Sequence, residues 1–206
     1  MQYASLAQQG ETAQLGMWVF IATEVLFFGA LLFAYFICRL SYPEQFALAG
    51  RDSKILLGAI NTVILLTSSL TMIAAIELVK RGRRHAERLL LLTALLGVCF
   101  LGVKGYEYVQ DFQDATVPAL NFLLKPGYHP PAEIFWIFYF VATGFHAVHL
   151  TIGIAILLIM AEMTRRGRFS PGYYAPVETL GLYWSLVDAI WLLLFAAIYP
   201  LGRAAS

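Results

Sequence analysis

Five apolar stretches divide this sequence, and each is long enough to cross a membrane. A helix needs about 20 residues to span a hydrocarbon core of ~30 Å. The stretches run over residues 16–40, 55–79, 89–109, 134–161 and 180–200. Because 60% of the residues are hydrophobic and only 13% are charged, the composition is that of a polytopic membrane protein and not of a soluble domain. The sequence therefore predicts an all-α membrane protein with five transmembrane helices.

The chain is expected to form one helical membrane domain over residues 1–206. Its first apolar stretch is expected to remain as a membrane helix. No basic residue precedes this stretch, it is longer than the apolar core of a signal peptide, and no small-residue cleavage site follows it.

Basic residues between the stretches predict the orientation of the helices. The connections after the second and fourth stretches share one face and carry eight basic residues: Lys80, Arg81, Arg83, Arg84, Arg88, Arg165, Arg166 and Arg168. The opposite face carries five: Arg39, Arg51, Lys54, Lys125 and Arg203. Because basic loops stay in the cytoplasm, the N-terminus is predicted to be cytoplasmic and the C-terminus to lie outside. Membrane insertion explains this asymmetry, so a net charge of +1 indicates no nucleic-acid partner.

Two connections on the predicted outer face contain residues that interrupt helices. Residues 42–53 include Pro43 and Gly50 and leave room for only a short helix. Residues 110–133 are rich in residues that favour extended or turning backbone. These are Pro118, Pro126, Gly127, Pro130 and Pro131. We expect this longer connection to form an ordered cap.

Glu24 is the only charged residue in the segment GMWVFIATEVLFFGALLFAYF, residues 16–36. A charged side chain at bilayer depth costs roughly 2.5 to 17 kcal/mol, so it normally faces a partner or a cavity. Two interpretations remain open. Burial can keep the carboxyl neutral and hydrogen-bonded to a neighbouring helix, or the carboxyl can belong to a proton path.

Polar residues from three predicted helices lie at similar depths. At ~1.5 Å per residue, Glu24 and Asp188 are each ~12 Å from the predicted cytoplasmic end of their stretch. His146 and His149 lie near the middle of the fourth stretch. A carboxylate and an imidazole stabilise each other in a low-dielectric environment. We therefore predict that these residues converge and that a carboxylate pairs with a histidine.

His146 and His149 are three residues apart and belong to one face of one helix. Two histidines that clamp a haem usually come from two helices, and no other stretch contains a histidine. The chain by itself is therefore predicted to hold neither a haem nor a haem–copper centre. A zinc or di-iron site built from these histidines with Glu24 and Asp188 is chemically feasible. Hydrogen bonds that tie helices together are nevertheless the expected role of the histidines, and no metal site is predicted.

Asp188 lies between Trp184 and Trp191, at spacings that place all three on one helical face. The two indole N–H groups are predicted to donate hydrogen bonds to the Asp188 carboxylate, because burial without donors would cost several kcal/mol. A structural and a chemical role for this carboxylate both remain open.

Two further patterns predict helix packing. The second stretch carries small and polar residues at helical spacing, which suits close contact between helices in lipid. This stripe consists of Gly58, Asn61, Ser68 and Ala75. Near the outer end of the third stretch, Lys104 and Glu107 are expected either to pair at i and i+3 or to reach the membrane surface as an interfacial anchor.

Motifs for catalysis are absent from the sequence. It contains no glycine-rich phosphate loop, no nucleophile elbow and no cysteine pair for copper, and its connections are too short for a soluble catalytic domain. The chain is therefore predicted to be a partner of a catalyst and not the catalyst itself.

Five segments together resemble subunit III of the haem-copper oxidases, the cytochrome c oxidase and quinol oxidase group. They are MWVFIATEVLFFGALLFAYF around Glu24, NTVILLTSSLTM from Asn61, KGYEY from Lys104, GFHAVHLTIG with its two histidines, and YWSLVDAIW around Asp188. The resemblance covers nearly the whole chain. It points to the short bacterial form, which has five membrane helices where the family commonly has seven.

The resemblance implies a non-redox subunit with no cofactor of its own. Such a subunit packs beside catalytic subunit I, which holds the haems and copper, and beside subunit II in the bacterial inner membrane, with its C-terminus in the periplasm. It also implies roles in proton uptake, phospholipid binding and stability of the catalytic centre, and assembly into a respiratory supercomplex. The candidate site residues that match the family are Glu24, Glu107, His146, His149 and Asp188.

One departure and three alternatives accompany this resemblance. Ser185 stands where the family usually has histidine, and a glutamate at position 24 resembles the cytochrome c oxidase branch more than the quinol oxidase branch. An accessory protein of nitric oxide reductase shares the five-helix pattern. Among other classes, a small proton-coupled transporter would use Glu24, His146 and Asp188, and a membrane metal hydrolase would bind zinc or iron.

Overall fold

The computed structural model describes residues 6–82 and 85–203, and its side chains over residues 11–82 and 85–201. Three basic groups used for the orientation prediction lie outside these ranges: Arg83, Arg84 and the side chain of Arg203. Both ends of the predicted domain 1–206 lie outside them as well.

Seven helices make up the described part of the chain. Five of them are long and apolar enough to cross a membrane: α1 (Leu6–Ser41), α3 (Ile55–Lys80), α4 (Ala86–Gln113), α5 (Pro131–Arg165) and α6 (Ala175–Ile198). Two short helices, α2 (Pro43–Asp52) and α7 (Pro200–Arg203), follow α1 and α6. No strand forms within residues 6–82 and 85–203. The prediction of an all-α membrane protein with five membrane helices is confirmed.

The helices extend beyond the apolar stretches that predicted them. α4 begins three residues before position 89 and ends four residues after position 109, and α5 extends three residues before position 134 and four after position 161. The sequence prediction ended each helix where apolar character ended, but a helix keeps its own backbone hydrogen bonds after it leaves the hydrocarbon core. α6 begins at Ala175 and not at 180, and it ends at Ile198 because Pro200 has no amide proton to continue it.

α2 is the short helix predicted for residues 42–53. It packs against α5 and α7, at the end of the bundle where α6 ends. Pro43 occupies its first position, where a missing amide proton leaves no helical bond unmade. Phe46 is fully buried, with its ring centroid 5.5 Å from that of Tyr35 on α1 and 5.8 Å from that of Phe135 on α5. These rings hold α2 between α1 and α5.

Residues 114–130 connect α4 to α5 as an ordered segment without regular helix. Asp52, the last residue of α2, accepts hydrogen bonds from Lys125 Nζ at 2.6 Å and from the Tyr128 hydroxyl at 2.9 Å. Burial and then the bond to Asp52 raise the pKa of the Tyr128 hydroxyl, so this donor stays protonated. The connection is thereby fastened to α2, as expected for an ordered cap.

At the opposite end of the bundle, one carboxylate contacts two other helices. Glu178 at the start of α6 accepts a hydrogen bond from Lys80 Nζ of α3 at 2.6 Å and from Gln14 Nε2 of α1 at 3.1 Å. The side chains of Lys80 and Glu178 are each about one third exposed, so they form an ion pair at the surface of the bundle.

α6 is the most buried of the membrane helices and packs against α1, α3 and α5. The stripe predicted on α3 faces this core, because Gly58, Asn61, Ser68 and Ala75 are all buried. A Cβ atom on Gly58 would lie 2.9 Å from the ring of Tyr199, so only glycine permits this approach. The prediction of close packing along the second stretch is confirmed.

Trp184 of α6 lies where three other helices meet, and two glycines make room for its indole. A Cβ atom on Gly97 of α4 would lie 3.0 Å from Cη2 of the indole, and one on Gly153 of α5 would lie 3.1 Å from Cζ3. The indole Nε1 donates a hydrogen bond to Ser68 Oγ of α3 at 3.0 Å. This one side chain therefore positions α6 against α3, α4 and α5.

Gly97→Val is expected to destabilise the bundle by about 1–3 kcal/mol, the usual cost of overpacking a filled core. The valine side chain would collide with Trp184 and with Ile154, whose Cγ1 lies 3.0 Å from the position of a Cβ atom. Gly102→Val on the same helix is the control, because nothing lies within 4 Å of a Cβ atom there. The measurement is thermal melting in detergent, followed by size-exclusion chromatography. Equal melting temperatures for the two variants would contradict this packing.

Candidate functional site

Glu24 of α1 and His149 of α5 lie next to each other, as predicted for a carboxylate and an imidazole from different membrane crossings. Glu24 Oε2 is 3.1 Å from His149 Nε2, and the two side chains are 15% and 16% exposed. The ring of Phe28 packs edge-on against the imidazole with centroids 5.6 Å apart, and the Tyr183 hydroxyl donates to the His149 carbonyl at 2.8 Å. The carboxylate thus points into the bundle and not into lipid.

The other ring nitrogen of His149 determines what this pair requires. His149 Nδ1 lies 2.8 Å from the carbonyl oxygen of Phe145. A carbonyl only accepts hydrogen bonds, so Nδ1 carries a proton. Nε2 and Glu24 Oε2 would otherwise face each other with lone pairs, and a proton on either the imidazole or the carboxyl removes this repulsion. The Nε2–Oε2 contact has the distance of an ion pair but not the alignment of a hydrogen bond.

His146 has different surroundings from His149, although both belong to α5. It is 1% exposed and packs between Phe100 of α4 and Trp191 of α6, with ring centroids 5.4 and 5.3 Å away. Neither ring nitrogen has a hydrogen-bond partner among the described residues. The prediction that the histidines join helices by hydrogen bonds is therefore wrong for His146, and the His149 ring contacts α1 as an ion pair without the alignment of a hydrogen bond. Three helical residues correspond to a rotation of about 60° between side chains, which is enough to separate the two environments.

Asp188 of α6 is bound by α3. Its Oδ2 accepts a hydrogen bond from the Ser69 hydroxyl, and its Oδ1 is buried without a hydrogen-bond partner among the described residues. The residue is 5% exposed. This arrangement joins α6 to α3 and places the carboxylate in the same helix interface as Trp184.

The predicted indole donors of Asp188 bind elsewhere. Trp191 Nε1 donates to Thr62 Oγ1 at 3.0 Å, and Trp184 Nε1 donates to Ser68 Oγ at the same distance. The indole N–H lies at the far edge of a large ring, so it reaches the neighbouring helix and not a carboxylate on its own helix. The prediction of two indole donors is wrong because the hydroxyls of α3 accept those bonds.

Five buried side chains form a second polar site, which we call the Lys104 cluster. They are Lys104, Glu107, Asp111, Tyr139 and Tyr199. Lys104 Nζ lies 3.0 Å from Glu107 Oε2 and 2.9 Å from the hydroxyl oxygens of both tyrosines. Each residue is at most 2% exposed. The cluster joins α4, α5 and the residue that follows α6.

This cluster confirms one sequence prediction and overturns another. Lys104 and Glu107 do pair at i and i+3. The interpretation of this pair as an interfacial anchor is wrong, because Lys104 and Glu107 side chains are 3% and 0% exposed. Tyr139 of α5 and Tyr199 cover the pair. They lie 35 and 95 residues after Lys104, so no local pattern in the sequence indicates this contact. Asp111, four residues after Glu107 on the same helical face, is the member that spacing would have revealed.

The residues considered as zinc or di-iron ligands do not converge on a metal site. Within the described ranges, no three or more His, Cys, Asp and Glu side chains are grouped so that they could hold a metal ion. Glu24 and His149 pair on the α1 side of α5, whereas Asp188 binds α3.

Comparison with known proteins adds a decisive observation to this geometry. The family model described as cytochrome c oxidase subunit III matches residues 5–203. The chain belongs to this family. The resemblance found in the sequence is therefore confirmed over the described residues. Of its candidate site residues, Glu107, His146 and Asp188 are buried, and Glu24 and His149 are partly exposed.

Named relatives of this subunit III come from both oxidase branches. Cytochrome c oxidase subunit 3 of Thermostichus vulcanus is 32% identical over 191 residues, which cover 92% of this chain and 87% of the relative. Cytochrome c oxidase subunit 3 of Drosophila melanogaster is 30% identical over 195 residues, which cover 91% and 68%. Probable quinol oxidase subunit 3 of Staphylococcus haemolyticus (strain JCSC1435) is 27% identical over 209 residues, which cover 98% and 95%.

Glu107→Gln is expected to destabilise this subunit III by about 3–5 kcal/mol, because it leaves a buried ammonium without its charged partner. Glu178→Gln is the matched control. It removes the partner of Lys80, whose side chain is 35% exposed, and a solvated pair of this kind contributes about 1 kcal/mol or less. Thermal melting in detergent measures both. A loss for Glu107→Gln no larger than that of the control would contradict the buried ion pair.

Proposed function

We propose that the chain is the non-redox subunit III of a proton-pumping terminal oxidase of the cytochrome c oxidase type. Membership of the subunit III family is the observation that carries this proposal. The chain would pack beside a catalytic subunit I, which holds the haems and copper, and a subunit II, in a bacterial inner membrane. Its buried carboxylates pair with imidazole, ammonium and hydroxyl groups of the same chain, which suits a supporting subunit.

The outer surface of α1 supports contact with a partner subunit or with lipid. α1 is the least buried of the five membrane helices. Large apolar side chains point away from the rest of the bundle along it, among them Trp18, Leu26 and Phe33, which are 58%, 73% and 68% exposed. In this proposal, the same helix positions Glu24 near the boundary between subunit III and its neighbour.

A groove at the end of α5 supports the proposed phospholipid binding. Leu158, Ile159 and Met163 form an apolar wall around a volume of about 530 Å³, and Glu162, Arg166 and Arg168 lie at its loop end. Arg166 pairs with Glu162 at 2.6 Å, which leaves Arg168 as the basic residue of the lining that faces a headgroup without this partner. This is the arrangement expected for an acyl chain against a helix with an anionic headgroup near basic side chains. These arginines belong to the face that is predicted to be cytoplasmic.

The Glu24–His149 pair supports a role in proton uptake. The contact requires one proton on either the carboxyl or the imidazole, so two atoms of the pair can carry it, Glu24 Oε2 and His149 Nε2. Both side chains are partly exposed at the side of α1 and α5, where a neighbouring subunit would contact them in the proposed complex. A proton held in this way would be available to a neighbouring catalytic subunit.

Gentle purification with a tag on this chain is expected to bring down a complex with haem absorption bands. The same spectrum tests the alternatives. The haem types of an oxidase support the proposal, whereas the haem types of nitric oxide reductase would support the accessory protein of that enzyme. A chain that purifies without haem and transports a substrate into vesicles would contradict the assignment to an oxidase.

Glu24→Gln in the assembled complex is expected to lower turnover most at high pH, where protons are scarce. Glutamine preserves the size of the side chain and its capacity for hydrogen bonding, but it cannot release a proton. Glu77→Gln, at an exposed carboxylate of α3, is the matched control and should leave the pH profile unchanged. Oxygen consumption as a function of pH measures both. If Glu24→Gln also leaves the profile unchanged, this carboxyl does not deliver protons, and the subunit assignment stands independently.

A further inference from the structure

The Lys104 cluster contains two carboxylates and one ammonium out of reach of solvent. It shares no residue with the Glu24–His149 pair and lies at the other end of α4 and α6 from the basic loops, where α5 begins. A buried carboxylate without a counter-charge is costly. The number of protons in this cluster therefore decides whether it stabilises the bundle or strains it.

Six hydrogen bonds join the five side chains of the cluster. Lys104 makes three of them, as described above. Glu107 Oε1 lies 2.6 Å from the Tyr199 hydroxyl and 2.9 Å from the Tyr139 hydroxyl. The Tyr139 hydroxyl also lies 2.8 Å from Asp111 Oδ2. All six distances are those of normal hydrogen bonds.

Each of these bonds needs a proton, and a fully ionised cluster has one too few. The ammonium of Lys104 carries three protons and each tyrosine hydroxyl carries one, whereas an ionised carboxylate carries none. Five protons would then serve six bonds. The shortage falls on Tyr139, because its single proton faces both Glu107 and Asp111.

Asp111 is the carboxyl group that can supply the missing proton. Glu107 accepts bonds from Lys104 on one oxygen and from Tyr199 on the other, so its anion is strongly stabilised. Among the described side chains, Asp111 has Tyr139 as its hydrogen-bond partner. A protonated Asp111 donates to the Tyr139 oxygen, and Tyr139 then donates to Glu107.

We propose that Asp111 binds a proton and that the Lys104 cluster is an electrically neutral proton-holding site. The proton lies between Asp111 Oδ2 and the hydroxyl oxygen of Tyr139. The cluster then contains one cation and one anion, and all six hydrogen bonds are made. Asp114, three residues after Asp111, has a side chain that is 44% exposed, so the site lies within one helical turn of the exposed end of α4. This inference does not depend on the proposed function.

The other charged and titratable groups around the cluster have partners of their own or are shielded. Lys54 at the start of α3 pairs with Asp114, which follows α4. Tyr108 of α4 forms a hydrogen bond with Thr143 of α5 at 2.6 Å. His146 of α5 packs between aromatic rings. None of these groups contributes a hydrogen bond to the described cluster, so the missing proton must be carried by a member of the cluster.

A proton on Asp111 predicts how stability depends on pH. An aspartate in an unfolded chain ionises at about pH 4. Above that pH, the folded chain would hold one proton more than the unfolded chain, so folding becomes less favourable as the pH rises. The equilibrium constant for folding should fall about tenfold per pH unit until Asp111 ionises in the folded state. Below about pH 4 this contribution is fully present.

Infrared spectroscopy of the purified full-length chain tests for the proton directly. The wild type is expected to show the carbonyl band of a buried protonated carboxylic acid, which shifts on isotopic labelling of aspartate and disappears in Asp111→Asn. Asp114→Asn, at a 44% exposed side chain next to the same helix end, is the matched control and should retain the band. A spectrum in which Asp111→Asn removes no such band would overturn the proposal.

Thermal melting over a range of pH provides an independent readout. Asparagine resembles the neutral acid, so Asp111→Asn should fold at neutral pH and should lose the decline in stability at alkaline pH that the wild type and Asp114→Asn show. If the wild type and Asp111→Asn decline alike, Asp111 is ionised at neutral pH and Tyr139 divides its proton between two anions. Failure of Asp111→Asn to fold would likewise count against a neutral acid at this position.

Discussion

Lipid offers no hydrogen bonds, and this constraint determines how the bundle is assembled. A hydroxyl on a membrane helix can bond to a carbonyl of its own helix, as Thr151 does to Ala147, but the indole N–H groups and the carboxylates of α6 find their partners on other helices. The hydroxyls of α3 show the effect most clearly, because Ser68 and Thr62 accept the indole N–H groups of Trp184 and Trp191. Two bonds seven residues apart on α6 define its register along α3, which hydrophobic contact alone would leave free to slide.

The two buried ionic sites have different surroundings, and this difference bears on what a subunit III can do. The Lys104 cluster is enclosed by α4, α5 and the end of α6, so it holds these elements together. The Glu24–His149 pair lies between α5 and the loosely packed α1, and both side chains retain partial exposure. The side of α1 is where an exchangeable proton and a neighbouring subunit would meet in the proposed oxidase.

Errors in the sequence predictions share one physical cause, which is that helical spacing describes only one helix. Spacing correctly paired Lys104 with Glu107, because both lie on α4. It placed them at the membrane surface because it contained no information about Tyr139, which covers them from α5. The same limit assigned the indole of Trp184 to a carboxylate on its own helix, although the nearest acceptor was Ser68 on α3.

The sequence by itself determined the number of membrane helices, the need of Glu24 for a partner and the packing stripe of α3. These properties follow from local apolar length and from the cost of a charge in hydrocarbon. Only the tertiary structure decided that His149, and not His146, meets Glu24, since about 60° of rotation on one helix separates the two rings. It also decided which tyrosines enclose Lys104, because contacts between distant segments depend on how whole helices pack.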